Sequence, residues 1–471
     1  MTASARRRSE RTDAAAGPTL RVWYTPVMDP QPPVFPQRFP GQALLLFRRD
    51  PIAYLRRASS ECGDIVRLPL GRDPVYLLND PDLIKDVLVT NQKQFKKGRG
   101  LEQIKRLLGE GLLTSEGEFH LRQRRLIQPA FHRQRVVAYG ESMTHYAAQA
   151  RERWQGGETR DMHAEMMRLT LAIVGKTLFG AEVEAEAAEI DGALGEIIGL
   201  FRLLQLPYSD LLERLPLPVV RRFRTARARL DATIYRLIAR HRAAGEDRGD
   251  LLSMLLAARD EDDGGRMSDE QVRDEALTLF LAGHETTANA MTWTWYLLSQ
   301  HPDVEERFHA EIDTILAGRT PTVDDLPRLP YTRRVFSEAL RCFPPAWILG
   351  RRLLSDYTLG GHTLAAGSIV LLSQFVMHRD PRFWPDPERF DPDRWTPEAE
   401  AARPKFAFFP FGGGPRVCIG EQFAWMEGVL LLATLGQRWR LRLAPGQVVA
   451  AQPIVTLRPR YGMRMRVESR V

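Results

Sequence analysis

The chain has 471 residues, is 44% hydrophobic and carries a formal net charge of +7, so it has enough apolar material for a large core. Its acids and bases are interspersed, and apart from short runs such as Arg6–Arg8 there is no basic stripe, which argues against nucleic-acid binding. Three widely spaced cysteines, Cys62, Cys342 and Cys418, exclude a disulfide scaffold or a four-cysteine metal site and fit a reducing cytoplasm, and no stretch has the apolar length of a signal peptide or a transmembrane anchor.

Residues 1–17 are small and polar and are expected to form a disordered tail, with 18–471 forming one integrated domain. Proline is dense from Pro30 to Pro40, so that stretch cannot be helical throughout. DIVRLPLG (Asp64–Gly71) and PVYLLND (Pro74–Asp80) alternate and end in turn residues, as short strands do. From about residue 81 to 345 helical periodicity dominates, broken at LPLP (Leu215–Pro218) and DRGD (Asp247–Asp250). The apolar stretch Leu200–Pro218 reads either as a lid or as an ordinary core helix. Beyond Pro345 come short strand-like pieces, a proline-rich meander, a long helix after Cys418 and further strand-like segments. The fold class is mainly α with small β-sheets.

Residues 268–299 form the longest helix candidate. Ser268 with Gln271 three later is a capping-box signature, and Pro302 follows its end. Its middle is apolar almost all round, as in a helix that crosses a core. Against that background AGHETT is anomalous: Gly283 weakens a helix, Glu285 places a carboxylate where burial is expected, and Thr286 and Thr287 can bond backbone carbonyls. The stretch is either a groove with a proton-handling acid–alcohol pair or a packing glycine beside a solvated polar edge. Further on, PYTRRVFSEALRC is a helix stopped by Pro344 and Pro345. Glu338 and Arg341 share one of its faces, and PERF (Pro387–Phe390) offers Arg389 as a second partner.

FGGGPRVCIG, Phe411–Gly420, sets a lone cysteine among glycines, beside an arginine and before a helix. Positive charge, backbone amides and a helix N-terminus all favour a thiolate. A small buried hydrophobe is the bland alternative, and a nucleophile would want a base that this loop lacks. The spacing F-x-x-G-x-R-x-C-x-G, held by Phe411, Gly414, Arg416, Cys418 and Gly420, closely resembles the haem-thiolate loop of the cytochrome P-450 family. AGHETT resembles its oxygen-activation motif, EALR its Glu-x-x-Arg and PERF its meander motif, in the family's order, and the likeness extends over nearly the whole chain to the last substrate-facing loop, PIVTLRPRYGMRMRV.

The resemblance implies a single cytochrome P-450 fold of the soluble bacterial type, with haem b (iron protoporphyrin IX) between the long central helix and the Cys-loop helix. Cys418 would be the proximal iron ligand, with Phe411, Gly412 and Gly420 close to the cofactor. Arg416, His120, Arg124 and Arg351 would bind propionates; Arg352 is adjacent to Arg351, and His120 stands where the family often has tryptophan. Glu338, Arg341 and Arg389 would form a buried structural ion network. Glu285 and Thr286 would deliver protons, and Phe280, Ala282, Gly283, Trp347, Ile348 and Val455 would line the substrate pocket. Arg122 and Arg125 would face an electron-donor protein. The implied activity is a monooxygenation in which one atom of O2 enters a hydrophobic substrate such as a terpene, fatty acid or polyketide. Electrons would come from a separate ferredoxin or flavodoxin with its reductase. A peroxygenase using hydrogen peroxide and a non-enzymatic haem-thiolate sensor are the alternatives; the first tends to lose the acid–alcohol pair, and the second usually carries an effector domain.

Overall fold

In the computed structural model, the described residues are 31–180, 189–190, 192–193, 196, 217–244, 248–260 and 264–470. The expected tail, and the Leu200–Pro218 stretch apart from its last two residues, lie outside them. The strands that frame the site are short: β1 (Ile65–Leu68), β2 (Val75–Leu78), β3 (Phe95–Lys97), β4 (Thr159–Asp161), β5 (Leu349–Leu353), β6 (Ile369–Leu372), β7 (Trp439–Leu443), β8 (Ala451–Pro453), β9 (Leu457–Pro459) and β10 (Arg464–Ser469). Helices α1 (Gly117–Ile127), α2 (Arg133–Arg153), α3 (Met162–Phe179), α4 (Asp269–Gln300), α5 (Pro330–Cys342) and α6 (Glu421–Gly436) surround it. The two runs read as strands from their alternation are β1 and β2, paired antiparallel with Ile65 opposite Leu78. They open a five-stranded sheet ordered β1-β2-β6-β5-β3, in which only β2 and β6 run parallel. β4-β10-β7 form a second sheet, and β8 pairs with β9.

The capping box predicted at Ser268 is formed: its hydroxyl accepts from the Gln271 amide at 3.2 Å, while Gln271 Oε1 accepts from the Ser268 amide at 2.8 Å. α4 then runs through the core. Its apolar side chains after Ala288 pack with α2, α3, α5 and α6 in one cluster, and those before Leu281 pack with α1, α3 and the helix Pro218–Ala244 in another. Gly283 has a packing role in this crossing. A Cβ there would lie 3.0 Å from Val174 Cγ2 on α3, so its missing side chain lets α3 and α4 approach closely. Trp293 of α4 stacks on Phe343 at 4.1 Å between ring centres, fixing α4 against the chain that leaves α5. No helix among the described residues is long and apolar enough to cross a membrane.

Candidate active site

The Cys loop is held by its own backbone. The Cys418 amide donates to Phe411 O at 3.0 Å and the Val417 amide to Gly414 O at 3.0 Å. Gly414 has φ +67°, and a Cβ there would collide with the Leu88 carbonyl oxygen, so this turn admits only glycine. α6 begins three residues after Cys418. Cys418 is accessible on one side, yet the protein packed round its other sides dominates its chemistry: burial pushes the thiol up to about 11, and the Gly420 amide and the Arg124 guanidinium pull it down by less. The sequence suggests that the neighbouring Arg416 holds the sulfur as thiolate. In the structure Arg416 turns away, donating to Ser115 O at 3.0 Å and pairing with Glu116. Metal binding requires the deprotonated sulfur.

Next to the loop, basic side chains converge from four elements. Arg124 on α1 donates to Val417 O at 2.8 Å, tying α1 to the Cys loop. Lys97 and Arg351 are cross-strand partners on β3 and β5, so their side chains leave the same face, while Arg352 alternates to the other. Lys97 Nζ donates to Ser115 O at 2.7 Å and Leu112 O at 3.3 Å. Burial, then the charge of Arg416, pushes Lys97 down to about 6 and Arg351 down to about 10. His120, also on α1, is pushed down to about 3 by burial and then by Arg416, Lys97 and Arg124, so it is neutral. Its Nδ1 lies 3.4 Å from Ser115 Oγ, and its buried Nε2 has no hydrogen-bond partner among the described residues. Against these groups stands Glu116, which pairs with Arg416 and accepts from the Lys97 amide at 2.6 Å. Lys97 was not singled out from sequence; nothing in a three-residue strand marks it.

Behind the loop, Glu338 and Arg341 are fully buried and joined by two bonds of 2.8 Å. Arg341 also donates to the carbonyls of His378, Pro387 and Arg389 at 2.9, 2.7 and 3.0 Å. Arg389 therefore enters this network through its backbone, while its side chain is exposed. The side chains that reach Glu338 from the meander are Arg394, at 3.5 Å, and Trp395, whose indole donates at 2.9 Å. The proline-framed turn presents its carbonyls inward at 387 and 389, and the guanidinium arrives five residues later.

Residues 272–281 of α4 are all buried, and so are 287–295. Between them Ala282, Gly283 and Thr286 remain at least partly accessible, a small-residue opening in a buried helix. The Thr286 hydroxyl donates to Ala282 O at 2.7 Å. Phe280 does not share this opening. Two residues along a helix is about 200° of rotation, and Phe280 is fully buried against Phe179 and His284. Trp347 is likewise buried, its indole donating to Ile454 O at 3.2 Å, whereas Ile348 and Val455 are partly accessible. Glu285 points away from Thr286: its Oε1 accepts from Thr456 Oγ1 and, at 2.7 Å, from Arg458 Nε. Arg122 and Arg125 lean on Asp260 at 3.6 and 3.4 Å, so their charge is shared with an acid of this chain.

The sequence reading also passed over Glu427 on α6. It is completely buried against Thr287, and neither carboxyl oxygen has a hydrogen bond among the described residues. Burial lifts its pKa from 4.5 to about 8. Between those values the folded protein keeps a proton that the unfolded chain releases, so stability falls as pH rises through that window, by up to about 1.4 kcal/mol per pH unit. Glu427→Gln is expected to melt higher than the parent at pH 8 and to flatten the fall between pH 5 and pH 8; parallel melting curves across that range would contradict it.

Residues 30–462 match the family model described as cytochrome P-450. Cyclooctatin synthase of Streptomyces melanosporofaciens is 44% identical over 420 residues, covering 88% of this chain and 91% of that protein. Pentalenene oxygenase of Streptomyces avermitilis is 38% identical over 433 residues, covering 91% of this chain and 95% of the other. Among solved structures, the crystal structure of the cytochrome P450DA heme domain is similar at a TM-score of 0.84 and 28% identity, covering 93% of this chain and 98% of that chain.

Proposed function

This chain belongs to the cytochrome P-450 family of monooxygenases, and on that premise we propose that it oxygenates a terpene, with haem b held through Cys418 and electrons drawn from a separate ferredoxin or flavodoxin in the cytoplasm. The family's cofactor is a haem-thiolate, and the residues present fit it. An accessible Cys418 lies beside a buried cluster with more bases than acids, suited to a ligand that carries carboxylates. When bound, such a haem activates dioxygen with two electrons and two protons, giving one oxygen atom to the substrate and the other to water.

The chain's own residues do the rest. Cys418 would hold the metal through its deprotonated sulfur. Arg124, Arg351 and Arg416 would hold the propionates by charge-assisted hydrogen bonds, Lys97 would add a hydrogen bond, and the unpartnered Nε2 of His120 would supply a further polar contact. Phe411 packs beside Trp425, 5.5 Å between ring centres, and shields the loop from the α6 side. Thr286 holds a proton at Oγ1 on the open strip of α4, and Glu285, whose carboxylate is turned to Thr456 and Arg458, is the acid that would supply protons to that strip once released from them. Ile348 and Val455 offer the substrate an apolar wall. The terpene assignment rests on that wall and on relatives named for cyclooctatin and pentalenene.

The observation that carries this reading is the opening at Ala282, Gly283 and Thr286 in an otherwise buried helix. It is tested by the optical spectrum of the reduced protein under carbon monoxide, then by titration and turnover with a panel of terpene hydrocarbons against fatty acids. A thiolate-type spectrum with no response to any terpene would remove the substrate assignment. Thr286→Ala should leave substrate binding intact while product formed per electron drops at least about tenfold, the missing electrons appearing as hydrogen peroxide, since a positioned proton donor is worth roughly 10²–10⁴. Unaltered coupling in that variant would remove Thr286 from proton handling.

A further inference from the structure

The carboxylate of Glu285 ends a hydrogen-bonded chain that no part of the reaction outlined above requires. Thr456 Oγ1 donates to Glu285 Oε1. Asn289 Nδ2 donates to Thr456 Oγ1 at 3.2 Å. His163 Nε2 lies 3.1 Å from Asn289 Oδ1, and since that amide oxygen only accepts, the imidazole carries its proton on Nε2. Every bond thus donates in one direction, from His163 on α3 through Asn289 on α4 to the carboxylate, so each polarises the next. Asn289 and Glu285 are four apart on α4 and share a face. Asn289 is fully buried and His163 half-buried.

The second partner of Glu285, Arg458, belongs to the same hairpin as Thr456. Both external partners of the acid therefore come from the β8–β9 hairpin, whose turn, residues 454–456, carries Val455. That turn is pinned at its ends as well. The Trp347 indole donates to Ile454 O at 3.2 Å, and the Trp293 indole donates to Leu457 O at 2.9 Å. The carboxylate and the turn are consequently one hydrogen-bonded unit, joined directly by Thr456 and Arg458, with Asn289 donating to the Thr456 hydroxyl from behind and His163 fixing the way Asn289 faces.

We propose that Asn289 and His163 are positioning residues that aim the Thr456 hydroxyl at Glu285 and so help hold the carboxylate to the 454–456 turn, from which it is freed for proton exchange when a substrate displaces that turn. This rests on the reading of Glu285 and Val455 given under the proposed function. The arrangement keeps protons from being delivered in the absence of substrate, because the group that Val455 presents to the pocket is connected to the group that holds the acid.

Asn289→Leu keeps the side-chain volume and removes both bonds. It is expected to speed hydrogen exchange of the 456–458 backbone amides in the full-length protein by roughly three- to tenfold, the effect of losing one or two net hydrogen bonds. It should also raise substrate-free consumption of oxygen to peroxide. His163→Phe should do the same to a smaller degree, and His163→Gln, whose amide can still donate to Asn289, should behave as the parent. Exchange and substrate-free oxygen consumption at parent values in Asn289→Leu overturn the proposal; if that variant does not fold, parent values in His163→Phe overturn it. Glu285→Gln separates the two claims. Unchanged coupling there removes the proton role of Glu285 and the gating with it, whereas altered coupling there beside an inert Asn289→Leu removes the tether alone.

Discussion

Replacing Cys418 by serine is expected to abolish product formation, a loss of at least about a thousandfold or about 4 kcal/mol of barrier, and to erase the thiolate signature from the reduced, carbon monoxide-treated protein. The cause is electronic. A thiolate pushes electron density to the metal and favours O–O cleavage, and a serine hydroxyl keeps its proton far more tightly than a thiol even when that thiol is pushed up to about 11. The same substitution should barely disturb the fold. The loop is shaped by the Cys418 and Val417 amides, the left-handed Gly414 and the bond from Arg124 to Val417 O, and serine retains all of them. Melting of the cofactor-free variant should match that of the cofactor-free parent. A serine variant that keeps the parent's spectrum would place the metal ligand elsewhere.

Glu338→Ala is expected to cost about 3–5 kcal/mol of stability, because breaking a buried pair leaves an uncompensated charge inside the protein. Arg341 is wholly enclosed, and removing Glu338 takes away its only carboxylate within hydrogen-bonding range among the described residues, along with the acceptor for the Trp395 indole and, at 3.0 Å, for the Asp391 amide. Most single substitutions cost 0.5–3 kcal/mol, so this one should stand out in a urea titration. Glu338→Gln keeps one acceptor oxygen and should lie between. A loss under about 1 kcal/mol in the alanine variant would show that the three carbonyls bound by Arg341 are sufficient without the carboxylate.

How much of this could be read from the residues alone depended on distance along the chain. The cap at Ser268, the shared face of Glu338 and Arg341 and the start of a helix after Cys418 are all set within a few residues by helix geometry and local hydrogen bonding. What escaped is set between distant segments. Lys97 enters the basic cluster only because β3 lies against β5. Arg394, not Arg389, reaches Glu338 because the meander turns its carbonyls inward first. Glu285 looks free in AGHETT, and its partners lie more than 170 positions further on. Phe280, expected in the pocket, is two residues from Ala282, and that spacing places it on another side of the helix, buried against Phe179 and His284. Gly283, expected to line the pocket, is also explained by packing against Val174. Glu427 carried no signal at all, since a lone acid in an apolar helix reads the same whether it faces solvent or the interior.

The attachment of Glu285 to Thr456 and Arg458 also bears on how the protein is made. Translation proceeds at roughly 5–20 residues per second, so the strand that brings Lys97 and the hairpin that restrains Glu285 leave the ribosome tens of seconds apart. α4 itself is complete about 150 residues before that hairpin is made, so for roughly 8–30 seconds at that rate it carries an acid in its middle with neither partner yet synthesised. The contacts that restrain Glu285 are therefore among the late ones to form, completed only once the hairpin has joined α4.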